Sequence, residues 1–431
     1  GFIVLLRPYI PSLPFKIGNT LEIGGLIGNG EAMTFTHTRM KMFDGKTLFI
    51  PNQMLFKSVI NNYHFTPTRR VRIKLTIGYD EDLAKAKALM AEYPRAQYLN
   101  WDIANDRRML IGQTWSPRAS LVILDEIHKM RDWKAYLKGV FDGRSDGQAI
   151  LVTGSARLDT FRQSGESLAG RYFALRLHPI SVREWCQTSG VAPDEALDRL
   201  IERGGFPEPF LAEQPAVAER WRNQYLEDLI REDILEFSRI HELRAMRLFV
   251  DMLRERVGSP LSLASLARDL QVSPTTLGKY LDILEALYIV IVVRPFHGNM
   301  ARAILKEPKV YFFDTGLVRA GEGARFENAC ATMLLKHVHY LQDVAGRRVS
   351  LHYIRDKEGR EVDFTVCENG KPLGFAECKF AAPAVTPFLA TIAERYPAAG
   401  AVQLVRELRQ PEQRGRVAVE PAARWLAELA A

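Results

Sequence analysis

A chain of 431 residues, 47% hydrophobic and 25% charged, has the composition of ordinary globular protein and length for about three domains. Its net charge of +7 is unevenly held: residues 1–90 carry twelve Lys/Arg against six Asp/Glu, and the rest carry 46 against 45. An argument for nucleic acid or an acidic surface from overall charge therefore stops near residue 90, and no run approaches the ~18 uninterrupted apolar residues of a membrane helix.

The opening Gly1–Leu6 is apolar but meets Arg7-Pro8, so it cannot span a bilayer alone and reads as the stump of a longer apolar segment. Gly1 in place of Met reads as a fragment or processed product, and no charged region precedes it to make a signal peptide. Cys186, Cys330, Cys367 and Cys378 show no C-x-x-C spacing. They read as free thiols in a reducing, cytoplasmic setting, not as a disulfide framework or zinc site.

Residues 15–66 read as short strands: Leu21–Ile23, Ala32–Thr38, Arg39–Phe43 and Thr47–Ile50, with Asp44-Gly45 as a hairpin turn. Residues 69–77 alternate basic and apolar side chains, the pattern of a strand with one wet face, and a helix follows from about Glu81. The grammar then changes. Ser120–Asp125 and Ala149–Thr153 are continuous apolar runs on either side of a helix from Trp133 to Val140, which implies an α/β sheet. Residues 192–256 are mostly helical, 261–296 hold two helices and a strand pair, and 310–431 return to mixed α/β. Pro/Gly-rich breaks stand near Gly204–Pro209 and Gly298–Pro308.

The N-terminal unit resembles the soluble portion of the small-conductance mechanosensitive channel family. The resemblance rests on Pro14-Phe15 running to Gly24-Gly25, on Phe43-Asp44-Gly45-Lys46 with Ile50-Pro51-Asn52, and on Pro67-Thr68-Arg69-Arg70 before Gly78-Tyr79-Asp80. It implies a β unit that assembles as a ring behind a pore helix. Without pore-lining helices, conduction is not expected, and a stranded β-barrel fragment is. Gly45-Lys46-Thr47 imitates the end of a P-loop, but the first glycine of G-x-x-x-x-G-K-[ST] would fall on Met40, and Leu48–Ile50 is strand-like. A P-loop needs a glycine turn opening onto a helix N-terminus, so these residues read as a hairpin.

Leu121-Val122-Ile123-Leu124-Asp125-Glu126 is a Walker B pattern. Asp125 would hold a Mg²⁺ shell and Glu126 would polarise the attacking water, both at a strand's C-terminal edge. A strand ending in a solvated acidic turn gives the same letters. The neighbouring run Ile150–Arg157 ends in Thr153, Ser155 and Arg157, where a γ-phosphate sensor would stand. Together with YLNWD (98–102), the stretch 120–142, the stretch 150–185 and GGFPEPFL (204–211), these residues resemble a prokaryotic AAA-type ATPase family with a C-terminal domain of unknown function, from about Leu89 to the end. The resemblance implies ATP and Mg²⁺ as cofactors, with Asp125 and Glu126 for Mg²⁺ and hydrolysis and Thr153 or Ser155 as sensor. It makes Arg157 and Arg171 candidates for phosphate or trans-acting roles, with a surface ion pair equally open for Arg171. One part departs from the family: Gly78-Tyr79-Asp80-Glu81-Asp82 stands where its phosphate loop would precede the helix LAKAKALMAEYP. Weakened ATP binding is the expectation.

Leu261–Leu270, a turn at Gln271–Ser273 and Pro274–Leu287 have helix-turn-helix spacing, with Ser273 as cap, Pro274 at the first position and the strand Ile289–Arg294 completing a winged helix. Were it to read DNA, Thr275, Thr276, Lys279 and Tyr280 would face the groove; Asp282 and Glu285 favour a structural role. Further on, Asp363 on one strand and Glu377-Cys378-Lys379 on the next resemble the PD-(D/E)xK nuclease fold. In that reading Asp363 and Glu377 share a Mg²⁺, Lys379 orients or deprotonates water, and Glu327 is a helix-borne accessory acid. An inactive nuclease-like recognition or dimerisation module fits the same residues.

The sequence thus predicts a multi-domain mixed protein: a small all-β barrel over 1–88, an α/β P-loop NTPase-like sheet over 89–190, a helical and winged-helix region over 191–300, and an α/β restriction-endonuclease-like domain over 301–431. Self-association and DNA, through the winged helix or the nuclease-like domain, are the partners this reading allows. A membrane-associated channel-like module and a Mg²⁺-dependent nuclease are its alternatives.

Overall fold

A computed structural model describes residues 20–23, 26–34, 37–42, 46–51, 60–62, 93, 95–145, 147–154, 168, 170–229, 243–296, 307–381 and 384–430. The strand expected at 69–77, the helix expected from Glu81, Ser155 and Arg157 lie outside them. Two compact units divide the chain, Gly1–Lys74 and Leu75–Ala431.

The first unit is one antiparallel sheet of β1 (Thr20–Ile23), β2 (Leu26–Met33), β3 (His37–Met42), β4 (Thr47–Pro51) and β5 (Ile60–Asn62), in the order β4-β3-β2-β1-β5. Among the described residues it is open, with β4 and β5 as edges, where the sequence predicts a barrel. The break between the second and third strands falls at Thr34, not between Thr38 and Arg39. There the Thr34 hydroxyl donates to the His37 carbonyl at 2.8 Å and accepts from its amide at 3.1 Å, a side-chain-closed turn that competes with strand continuation. The hairpin pairing β3 with β4 is present, Met40 opposite Leu48. Met40, at the position a P-loop glycine would need, is wholly buried.

The second unit begins with three parallel strands, β6 (Gln97–Asn100), β7 (Leu121–Asp125) and β8 (Ala149–Thr153), in the order β6-β7-β8. Leu121–Leu124 are buried, as an uninterrupted apolar run requires of a strand covered on both faces. Helices α1 (Ala104–Gly112) and α2 (Trp133–Gly143) close the core with Leu110, Trp133, Leu137 and Val140.

Next along the described chain come α3 (Val182–Ser189), α4 (Pro193–Arg203), α5 (Pro207–Leu211), α6 (Pro215–Asp228) and α7 (Leu243–Arg254). The Ser181–Glu184 capping box starts α3. Helices α8 (Leu263–Leu270) and α9 (Pro274–Ala286) follow, and the Ser273 hydroxyl accepts from the Thr276 amide at 3.0 Å, the predicted cap. Tyr280 is buried near Phe249 and does not join Thr275 and Lys279 on the exposed face.

An eight-stranded mixed sheet completes the unit. Its strands are β9 (Val290–Pro295), β10 (Lys309–Phe312), β11 (Val349–Arg355), β12 (Glu361–Glu368), β13 (Lys371–Lys379), β14 (Gly400–Val405), β15 (Glu412–Arg414) and β16 (Val417–Pro421), ordered β10-β9-β11-β12-β13-β14-β16-β15. The 22-residue α10 (Glu322–Asp343) packs against this sheet, as do α11 (Pro387–Arg395) and α12 (Ala422–Ala427). Among the described residues, one apolar cluster includes side chains from Val182 to Leu429. Among the described residues, no helix is long and apolar enough to cross a membrane.

Candidate nucleotide edge and buried carboxylate cluster

Parallel register brings three polar residues to one edge of the first sheet: Asn100 lies opposite Asp125, and Asp125 opposite Thr153. The Asp125 carboxylate collects four donors. Its Oδ1 accepts from the Thr153 hydroxyl at 2.6 Å and the Glu126 amide at 3.1 Å. Its Oδ2 accepts from Asn100 Nδ2 at 2.8 Å and from the Tyr98 hydroxyl. Burial, and then the bond to Asp125, push the Tyr98 phenol well above its ordinary range.

Glu126 adopts left-handed backbone, φ 56°, which costs a non-glycine residue about 1 kcal/mol. Its amide also donates to the Thr153 carbonyl at 3.2 Å, and its carboxylate meets Lys129 Nζ at 3.1 Å. Arg171 is elsewhere: it pairs with Asp142, 3.1 Å away near the end of α2, the helix that leads away from the Asp125 edge toward the start of β8. The structure therefore joins Asp125, Glu126 and Thr153, and leaves Arg171 in a surface pair. Tyr98 and Asn100 stand within YLNWD but have no role in the sequence reading; their i, i+2 spacing puts both on one face of β6.

The second constellation lies on the large sheet. One extra residue of β12, between Val362 and Thr365, opposes β11, a bulge that contains Asp363. Asp363 Oδ2 accepts from the Cys378 amide at 2.9 Å, and the Asp363 amide donates to Glu377 Oε2 at 3.3 Å. Glu377 Oε1 pairs with Lys379 Nζ at 2.8 Å and accepts from the Thr386 hydroxyl at 3.4 Å. Asp363, Glu377 and Lys379 are thus together, with Glu327 of α10 beside them.

The unexpected member is Lys309, on β10, 2% exposed. Its ammonium lies 3.0 Å from Glu361 Oε2, 3.2 Å from Asp363 Oδ1 and 3.5 Å from Glu327 Oε1. Burial opposes its charge, but Glu327, Asp363 and Glu361 outweigh that and hold it protonated. The Tyr311 hydroxyl donates to Glu327 at 2.6 Å. Burial, then the Asp363 charge, raise the Glu327 carboxyl to about 7, and the same two causes raise Glu377. At Lys379, burial works against the charge and the Glu377 carboxylate outweighs it. Among the described residues, no group of three or more His, Cys, Asp or Glu converges to hold a metal ion. The signal for Lys309 was a lysine two residues before a tyrosine in an otherwise apolar strand. The four cysteines are free thiols, as expected.

Four families match in succession. Residues 9–65 match the mechanosensitive ion channel beta-domain, and residues 76–186 an AAA domain. Residues 194–327 and 322–424 match two domains of unknown function, DUF8612 and DUF4143. The chain resembles two known families in turn. An uncharacterized protein of Mycobacterium tuberculosis is 31% identical over 200 residues, 46% of this chain and 44% of that one. The small-conductance mechanosensitive channel of Helicobacter pylori is 37% identical over 70 residues, 16% of this chain and 26% of that one. The closed-state crystal structure of the Helicobacter pylori channel, MscS, is 29% identical over 22% of this chain and 43% of that one, with a TM-score of 0.16. This chain thus spans under half the length of these relatives. The resemblances expected from the sequence, to the channel family at the N-terminus and to the AAA-type family beyond it, hold.

Proposed function

We propose that this chain is an AAA-type nucleotide-binding protein impaired at its nucleotide site, with a nuclease-like C-terminal domain. The observation that carries the first part is the saturation of Asp125. A carboxylate offers about four lone-pair sites, and four protein donors fill them. Mg²⁺ and its water shell reach Asp125 only when one of these donors leaves. A bound Mg²⁺ would supply charge compensation for the phosphates; the residues placed to meet its shell are Asp125 and Thr153. Glu126, the residue that would orient water, is drawn toward Lys129. The sequence adds the second support, Gly78-Tyr79-Asp80-Glu81-Asp82 in place of an amide cradle and its lysine. A turnover assay tests this: ATP hydrolysis by the full chain stays at background and Glu126→Gln changes nothing. Hydrolysis that disappears in Glu126→Gln overturns it.

The nuclease-like reading of the sheet rests on Asp363, Glu377 and Lys379 meeting across the antiparallel pair β12–β13. Self-association through the β unit, a cytoplasmic location, and DNA contact through the exposed face of α9 with Thr275 and Lys279 belong to the same proposal. Native mass measurement and a DNA mobility shift test the first and last.

A further inference from the structure

We infer that Lys309 is a resident cation, its ammonium standing at Asp363 and Glu327, two of the acids that the nuclease-like reading of this sheet assigns to a divalent metal. The inference rests on that reading for the expected position of the metal, and on geometry for everything else. Three N–H donors face three carboxylates, Glu327, Glu361 and Asp363, at 3.5, 3.0 and 3.2 Å, so the donor count of an ammonium is met. A lysine this buried is rare unless paired.

Each remaining oxygen of the two acids that would share a metal also has a protein partner. Asp363 Oδ2 accepts from the Cys378 amide, and Glu377 accepts from the Asp363 amide at one oxygen while pairing with Lys379 at the other. The pocket is walled as well. The Lys309 ammonium stands 5.5 Å from the centre of the Tyr353 ring, and a Cβ on Gly258 would come within 2.9 Å of Glu327 Oε1. A divalent ion therefore does not fit beside Lys309 and enters only by displacing it. The cluster is closed by a side chain carried on its own sheet, and the domain's stability is independent of divalent cations.

Thermal unfolding of the full chain in EDTA and in millimolar Mn²⁺ tests this. Wild type melts at the same temperature in both. Lys309→Ala, which strands buried carboxylates, melts roughly 10 °C lower in EDTA and recovers most of that loss in Mn²⁺. A wild-type melt raised by Mn²⁺ as much as the variant's overturns the inference and leaves the nuclease-like reading standing. A destabilised Lys309→Ala indifferent to Mn²⁺ overturns the metal position, and that reading with it. Should Lys309→Ala not fold, calorimetry of wild type decides. No heat of Mn²⁺ binding supports the inference, and binding abolished by Asp363→Asn sinks it.

Discussion

Asp125 and Thr153 end adjacent parallel strands in register, and the Thr153 hydroxyl donates to the Asp125 carboxylate at 2.6 Å. This bond to a charged acceptor ties the edge of β8 to the acidic end of β7. Hydrogen bonds to charged groups are worth about 1.5–3 kcal/mol. Thr153→Val should therefore lower stability by about 2 kcal/mol in urea unfolding followed by tryptophan fluorescence. An unchanged midpoint would mean that Asp125 is satisfied without it.

Gly204 has φ +75°, and a Cβ there would lie 1.5 Å from Asp314 Oδ1. Asp314 is the buried partner of Arg222, whose Nε donates to it at 3.1 Å. An alanine forces this pair apart or shifts the backbone, and breaking a buried pair costs roughly 3–5 kcal/mol. Gly204→Ala should be largely unfolded at 37 °C by circular dichroism, whereas Gly139→Ala, with open space at its Cβ, should match wild type.

Glu327 supplies a pH dependence. Its folded value of about 7 lies above the ordinary 4.5, because burial and the Asp363 charge favour the neutral acid. The stability it contributes is full below pH 4.5 and is lost as pH rises through about 7. The loss is roughly 3 kcal/mol at 1.36 kcal/mol per unit. Glu327→Gln, fixed in the neutral form, should flatten this part of a stability–pH curve. A wild-type slope retained in the variant would assign it to other groups.

Arg171 and Asp142 form a half-exposed pair, the kind worth about 0–1 kcal/mol. Arg171→Ala should leave both stability and any residual nucleotide binding within error. A drop in nucleotide binding would restore Arg171 to the phosphate role that the resemblance allows.

Some of this was legible before folding. The run Leu121–Leu124 ending in Asp125 announces a buried strand with an acidic edge because every residue carries the signal. Asp363 and Glu377-Cys378-Lys379 are legible because a local antiparallel pair keeps them close. Tyr98, Asn100 and Lys309 are not, since their partners come from strands and helices far along the chain, and only register and packing decide who meets whom. The same reason hides the pairing of β9 with β11, a parallel contact between residues near 294 and 352 that no local periodicity encodes. Tyr280 shows another limit: helix spacing places it beside Thr276, and only the packing of α9 near Phe249 buries it.

On the proposed reading, the Asp125 edge, with its acceptor sites filled by its own neighbours, takes up nucleotide poorly. Titration of Mg²⁺-ATP into the full chain by calorimetry measures this most directly. No saturable heat is expected up to millimolar nucleotide, in wild type and Asp125→Ala alike. A micromolar isotherm that Asp125→Ala abolishes would contradict it.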